Sequence, residues 1–546
     1  MVKLDRASGI LLHIISLPGP NGIGDIGSEA YKFVDFLLEC NQKIWQILPL
    51  TASEKPSPYS GTSAFAGNPL LISLEKLVDD RLLVQSDIES NRPKFGDQIE
   101  LSKVLKWKYS VLNQAYNNYK KNNLTNLKKE ISAFIKKEQY WLDDYTLYMA
   151  IKAEQNNQSW SKWPKELKQR DKKALEQKRH EHANVIDQHI FLQYIFFHQW
   201  SQLKQYANQH EIIILGDMPV YVDYDSADVW ANQSLFQLDP KTALPTVVSG
   251  APPDSFSENG QLWNNPIYDW TGNLRKTNFD WWIKRLKKCL ETVDVLRIDH
   301  FRGLEAYWAI PIGSDGKPKA PSKGSWITAC GDEFLTAVTK ALGNDLPLIV
   351  EDLGYLTQEV FDLRDKYDLN GMCVLQFGFG TNGANIYLPH NYVPNSVVYT
   401  GTHDNNTTIA WFRHNATKKE KENLIKYLQK EGDPEHNINW DFIRMVHASA
   451  ANTSIILFQD VLNLEEHCRM NDPAFTPDYE ENWRWRFKWE QLKQKDKNKL
   501  QELTQMCGRF IIPEEPLEEP LEEPLEEPSD ESSEEPSVKP LAKPDK

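Results

Sequence analysis

The sequence predicts an α/β fold, a (β/α)8 TIM barrel with helical and loop-rich insertions between its strands. Three observations carry that expectation. Eight short apolar runs rich in β-branched residues recur along the chain, separated by stretches of helical periodicity. Three of those runs stop abruptly at carboxylates: Val293-Asp-Val-Leu-Arg-Ile298 leads into Asp299-His300, Leu346-Pro-Leu-Ile-Val350 into Glu351-Asp352, and Ser396-Val-Val-Tyr-Thr-Gly-Thr402 into His403-Asp404. The spacing between these ends leaves room for a helix-containing crossover each time, and in such folds the strand C-termini gather on the face where chemistry sits.

Taken in order, Gly9–Ile14 reads as the first strand, and Leu17–Gly24 as a turn-rich loop. Residues 28–40 place Tyr31, Val34, Phe36, Leu37 and Leu38 at helical spacing. Lys43–Leu50 is the second strand, and the loop after it carries Pro58-Tyr59, an aromatic suited to stacking on an apolar ring face. Residues 76–210 exceed one crossover. Leu101, Leu105, Tyr109, Leu112 and Tyr116, then Phe134, Trp141, Tyr145 and Tyr148, recur every three or four residues, which predicts a helical insertion. His180, His182 and His189 fall within it without a supporting metal-ligand pattern. Glu211–Leu215 opens the third strand, with Asp217 at its end, and 224–275 reads as a loop-rich insertion containing Trp230, Phe256 and Trp263.

The fourth and fifth strands are the runs ending at Asp299 and Glu351. Arg297 and Asp299 are two apart and share a side of their strand, where the cation favours the ionised carboxylate. Met372–Phe377 is the sixth strand. The Gly378-Phe-Gly-Thr-Asn-Gly383 that follows matches a dinucleotide fingerprint in spacing, but Pro389 and Pro394 argue against the helix such a motif needs. The seventh strand ends at His403-Asp404, and Ser454–Asp460 is the eighth. From Glu514 the chain turns to Glu-Glu-Pro-Leu repeats. Proline every fourth residue forbids a helix and the charge opposes collapse, so 1–512 is expected to be the folded body and 513–546 a disordered acidic tail.

Composition narrows the partners. The 546 residues are 40% hydrophobic, with 18 Trp, 21 Tyr and 22 Phe, enough for a large core. The net charge is −15, and most of it belongs to the tail, so nothing basic points to nucleic acid or an anionic membrane. No apolar run spans a bilayer, and the N-terminus shows no hydrophobic signal segment. Six scattered cysteines fit a reducing cytosol. A cytoplasmic monomer is expected.

Three carboxylates converging on one barrel face suit glycosidic bond chemistry, which needs one carboxylate as nucleophile or base and one carboxylic acid. The segments RIDHFRG, VEDLG and GTHDNNTT resemble the signatures of the amylomaltase family, the 4-α-glucanotransferases or disproportionating enzymes of the α-amylase clan. The similarity continues through Ser57-Pro-Tyr-Ser60, Ser63–Pro69, Gly216-Asp-Met-Pro219, Pro252-Pro-Asp254 and Asn482-Trp-Arg-Trp485, and covers about residues 8 to 511 in order. Like those enzymes, the chain shows no β-sandwich domain after the barrel.

The resemblance implies transfer of α-1,4-glucan segments between maltooligosaccharide or starch and glycogen chains by retaining double displacement. It assigns Asp299 as nucleophile, Glu351 as acid and base, and Asp404 as stabiliser of the oxocarbenium-like transition state. Arg297 would orient Asp299. Tyr59, Asp217, His300 and His403 would bind sugar, and Phe256 would sit beside the acceptor. Several relatives carry an aromatic where this chain has Ser255. No metal or organic cofactor is implied. A hydrolase would use the same three carboxylates, and a non-catalytic glycan-binding protein would have lost one of them.

Overall fold

A computed structural model describes residues 6–122, 124–253, 258–475 and 481–510. Eight parallel strands form the barrel: β1 (Ala7–Leu11), β2 (Ile44–Gln46), β3 (Ile213–Met218), β4 (Val295–Ile298), β5 (Leu348–Val350), β6 (Gly371–Val374), β7 (Ser396–Tyr399) and β8 (Thr453–Leu457). They run in the order β6-β7-β8-β1-β2-β3-β4-β5. The ring closes between β5 and β6, where Ile349 bridges Asn370 and the Asp352 carboxylate accepts the Met372 N–H at 2.7 Å. Gly371 permits that clasp, because a Cβ there would lie 2.5 Å from the Asp352 carboxylate oxygen.

Alternation decides which way each strand faces. Leu11, Ile44, Leu215, Val295, Ile349, Val374, Val397 and Ile455 fill the barrel interior as one apolar cluster. Their neighbours, such as Leu296 and Ile298, turn outward to the large core shared with the helices. The strands are shorter than their apolar runs. β2 keeps three of the eight residues of Lys43–Leu50, and β6 ends at Val374, with Leu375–Phe377 curling into a 3-10 turn. A strand survives only while both neighbours offer backbone partners; beyond that point the apolar side chains pack from loops.

Between β2 and β3 stand three long helices, α1 (Leu101–Lys121), α2 (Thr125–Glu154) and α3 (Ala183–Gln209). The region expected to be loop-rich instead supplies half of a second sheet. Gln261–Pro266, Val247–Ala251, Ala306–Pro311 and Ser325–Thr328 pair antiparallel in that order. Two strands come from the β3–β4 connection and two from the β4–β5 connection, so this sheet stands at the carboxyl ends of β3, β4 and β5.

After β8 the described residues hold one long helix, α4 (Gln494–Met506), and no strand. Three residues beyond its end lies Arg509, which is buried and donates to the carbonyls of Ala7, Val446, His447, Ala451 and Asn452 at 2.8–3.1 Å. That side chain ties the chain's last described turn to the start of β1 and the approach to β8. No helix among the described residues is long and apolar enough to cross a membrane. The segment 513–546 and Phe256 lie outside the described residues.

Candidate active site

The site begins with strand register. In the β3–β4 ladder Asp217 sits directly opposite Arg297, and in the β4–β5 ladder Ile298 sits opposite Val350. The ladder runs on past the strand ends. Asp299 N–H donates to the Met218 carbonyl at 3.0 Å, Glu351 N–H to the Ile298 carbonyl at 2.9 Å, and Phe301 N–H to the Glu351 carbonyl at 3.1 Å. Asp299 and Glu351 therefore emerge side by side from neighbouring strands. His300 takes the turn after Asp299 with φ +50°, a left-handed conformation uncommon for a residue with a side chain, and such outliers cluster at functional sites.

The pocket above these ends has a volume of about 420 Å³. Asp299, Glu351 and Asp404 line it together with Tyr59, Arg297, His300, His403, Trp263 and Asn471. The small sheet forms one wall through Ala251, Leu262, Trp263 and Trp326. Trp263 meets the His300 ring edge-on, with centroids 4.7 Å apart.

Each carboxylate has its own holder. Arg297 Nη1 lies 3.0 Å from Asp299 Oδ1, but it also donates to both Asp217 oxygens at 2.7 and 2.8 Å. Asp217 accepts the Tyr59 hydroxyl as well, at 2.7 Å, and its side chain is wholly buried. Asp217, expected to bind sugar, is not among the residues that line this pocket, and its carboxylate is engaged by Arg297 and Tyr59. Tyr59 in turn approaches His403 Nε2 at 2.9 Å and stacks on its ring at 5.3 Å. His403 Nε2 lies 3.4 Å from Asp404 Oδ2.

Glu351 accepts N–H donors from His300 at 2.8 Å and Leu353 at 3.1 Å. Asp404 is held from the segment after β8: Asn471 Nδ2 donates to its Oδ1 at 2.6 Å and Arg469 donates to its backbone carbonyl at 2.6 Å. Sequence reasoning missed Asn471 and Arg469. They carry no local pattern, and their relevance appears only when β8 delivers them beside β7. Asn482, inside the Asn-Trp-Arg-Trp segment, is the visible marker of that region.

Electrostatics differ in one respect from the reading of the sequence. Burial pushes the Asp299 carboxyl well above the ordinary range, and the charges of Asp217 and Asp404 add to that push. Arg297 pulls the other way but does not win, because the loss of solvation outweighs it. Glu351 is pushed up as well, by burial first and the Asp299 charge second. His300 is held neutral, its pKa lowered to about 4 by burial, and His403 is lowered for the same reason. His300 Nε2 is buried with no protein partner, as is His403 Nδ1. Two neutral imidazoles with unused ring nitrogens suit hydroxyl-rich ligands.

Known proteins give the arrangement its context. A family model described as 4-alpha-glucanotransferase matches residues 12–493. The 4-alpha-glucanotransferase of Clostridium butyricum is 44% identical over 502 residues, covering 91% of this chain and all of the relative. That of Synechocystis is 43% identical over 511 residues, covering 93% and 98%. Among solved structures, the amylomaltase of Streptococcus agalactiae in complex with acarbose superposes with a TM-score of 0.86 at 38% identity, covering 93% of this chain and all of that one. With these matches on top of the barrel and its three carboxylates, the chain belongs to glycoside hydrolase family 77, the 4-alpha-glucanotransferases.

Proposed function

We propose that this enzyme moves α-1,4-glucan segments from one maltooligosaccharide, starch or glycogen chain to the 4-hydroxyl of another by retaining double displacement. Asp299 attacks the anomeric carbon of the donor while Glu351 gives its proton to the departing O4. The bond to O4 breaks and a glycosyl ester on Asp299 forms. Glu351, now a carboxylate, takes the proton from an incoming 4-hydroxyl, whose oxygen attacks the same carbon and frees Asp299. Asp404 holds sugar hydroxyls as charge develops at the ring. His300 and His403 hydrogen-bond to further hydroxyls, and Arg297 orients Asp299. The steps balance in protons and electrons without a metal or organic cofactor.

The observation that carries this reading is the placement of two half-buried carboxyls at adjacent strand ends. Neighbouring strands lie about 4.8 Å apart, and retaining chemistry needs about 5–5.5 Å between nucleophile and acid. Both carboxyls are pushed above the ordinary range as a coupled pair, so the pair can hold the one proton that the reaction needs on Glu351. The six cysteines are all unpaired, which supports a reducing, cytosolic setting.

Incubation with maltotriose tests transfer against hydrolysis. Transfer yields glucose plus longer oligomers at a constant number of reducing ends. A steadily climbing count with no longer oligomers would identify a hydrolase.

A further inference from the structure

The Asn482-Trp483 pair sits at the edge of the pocket, and nothing in the mechanism above uses Asn482. Trp483 occupies the left-handed region at φ +64°, costly for a bulky residue, and packs against Tyr59 and His403 at 5.9 and 5.8 Å. Asn482 is buried, and its hydrogen bonds have a direction that can be followed atom by atom.

A backbone N–H can only donate. That of Asp472 donates to Asn482 Oδ1 at 3.1 Å, which fixes which end of the Asn482 amide is oxygen. Asn482 Nδ2 is then the donor, and it reaches Asn471 Oδ1 at 2.9 Å. That leaves Asn471 Nδ2 facing Asp404 Oδ1 at 2.6 Å. The backbone of Asn471 is pinned too, its N–H donating to the His403 carbonyl at 3.1 Å. Two amides in series thus convert a backbone donor into a side-chain donor aimed at the carboxylate. With the Asn471 amide turned over, its oxygen would face the Asp404 oxygen; with the Asn482 amide turned over, its oxygen would face that of Asn471.

We propose that Asn482 is a positioning residue for the transfer reaction: it fixes the orientation of the Asn471 amide, and through it aligns Asp404 for the transition state. This rests on the role given to Asp404 above. The effect belongs on kcat, because Asp404 acts as charge develops, and less on KM.

Two substitutions separate orientation from shape. Asn482→Asp keeps the size and the acceptor for Asp472 N–H, but it cannot donate and so attracts Asn471 Nδ2 away from Asp404. Asn482→Ala removes all three of its contacts, the one from Nδ2 to the Asp472 carbonyl at 3.3 Å included, and leaves Asn471 free to choose. Fluoride release from α-glucosyl fluoride reports turnover whether the wild type transfers or hydrolyses, so failure of the transfer reading shows in the maltotriose assay and not here. The expected order of kcat is wild type, then Asn482→Ala, then Asn482→Asp. The last should be lower than wild type by about ten- to a hundredfold, the worth of one hydrogen bond to a charged group, with KM changed far less and the melting temperature held. In an Asn471→Ala background, Asn482→Asp should have no further effect. A near-wild-type Asn482→Asp, or one better than Asn482→Ala, would reduce Asn482 to packing. An undiminished effect in the Asn471→Ala background would show that the new charge acts through space, and either result overturns the proposal.

Discussion

Asp299 and Glu351 are both half-buried but held unlike, and the tasks proposed for them follow that difference. Asp299 keeps a share of Arg297; Glu351 has two backbone N–H donors and the Asp299 charge beside it. Asp299→Asn removes the nucleophile, so turnover of every donor is expected to fail. Glu351→Gln removes only proton donation. A natural glucan leaves as a poor alkoxide, so activity on maltotriose should fall by about 10²–10⁴, the usual worth of a general acid. An α-glycosyl fluoride needs little help to depart, so the same variant should still release fluoride and accumulate the glycosyl ester, visible by mass spectrometry. Equal loss on both donors would contradict the assignment. The pH profile follows from the same pair. The kcat/KM on maltotriose should be bell-shaped, because Asp299 must be ionised and Glu351 protonated. The acid limb should lie above the ordinary carboxylate range, since burial raises Asp299. The two limbs belong to the coupled pair rather than to single residues. With the fluoride donor the alkaline limb should flatten while the acid limb stays. A maltotriose profile flat from pH 4 upward would place Asp299 in a far more polar setting than the structure does.

At the scale of elements, the barrel was legible because a buried parallel strand is a continuous apolar run, and because each functional strand ends in charge. The resemblance of RIDHFRG, VEDLG and GTHDNNTT added the family. Strand lengths were not legible: Ile47, Leu48 and Leu375 are as buried outside the strands as strands would make them, so composition does not mark where pairing stops. The four-stranded sheet was missed although Ala306-Tyr-Trp-Ala-Ile-Pro311 and Ser325-Trp-Ile-Thr328 carry strand-forming residues. Its partners lie on both sides of β4 in sequence, and single-stretch patterns do not reveal such pairing.

One junction between elements yields a stability prediction. His447, near the end of the helix Ile438–Ala448, is buried between Ser454 Oγ at 3.2 Å and Thr504 Oγ1 at 3.4 Å. Burial first, then the charges of Arg509 and Arg6, lower its pKa to about 3. The folded state thus refuses a proton that the unfolded chain accepts below about 6.5. Its contribution is whole above that pH and is lost as pH falls toward 3, at about 1.4 kcal/mol per unit. His447→Gln should be less stable at pH 7 but lose about 2–3 kcal/mol less than wild type between pH 7 and 4.5, measured by urea unfolding. An identical acid loss in both proteins would mean that His447 titrates normally in the fold.

Over the whole molecule, the question is where the folded body needs the chain to continue. Arg509 brings its donors to five backbone carbonyls and no carboxylate, and its pKa is lowered to about 9 by burial and by Arg6. Those carbonyls belong to the entry of β1 and the approach to β8, the seam where the two ends of the chain meet. Without the guanidinium they lose a charged donor, worth about 1.5–3 kcal/mol for each such bond, although Asn452 still accepts the Ala7 N–H, Val446 the Ser449 hydroxyl, and His447 and Ala451 the Arg6 guanidinium. By composition the residues after Ile512, rich in glutamate and proline, carry little apolar surface to bury. Ending the chain after Ile512 is therefore expected to leave turnover and melting temperature unchanged. Ending it after Gly508, or Arg509→Met in the full chain, should lower the melting temperature by several degrees, with several kcal/mol at stake. Differential scanning calorimetry on the three variants separates the cases. A drop on truncation after Ile512 would mean that the acidic segment takes part in the fold, and a silent Arg509→Met would mean that water serves those carbonyls as well as the guanidinium does.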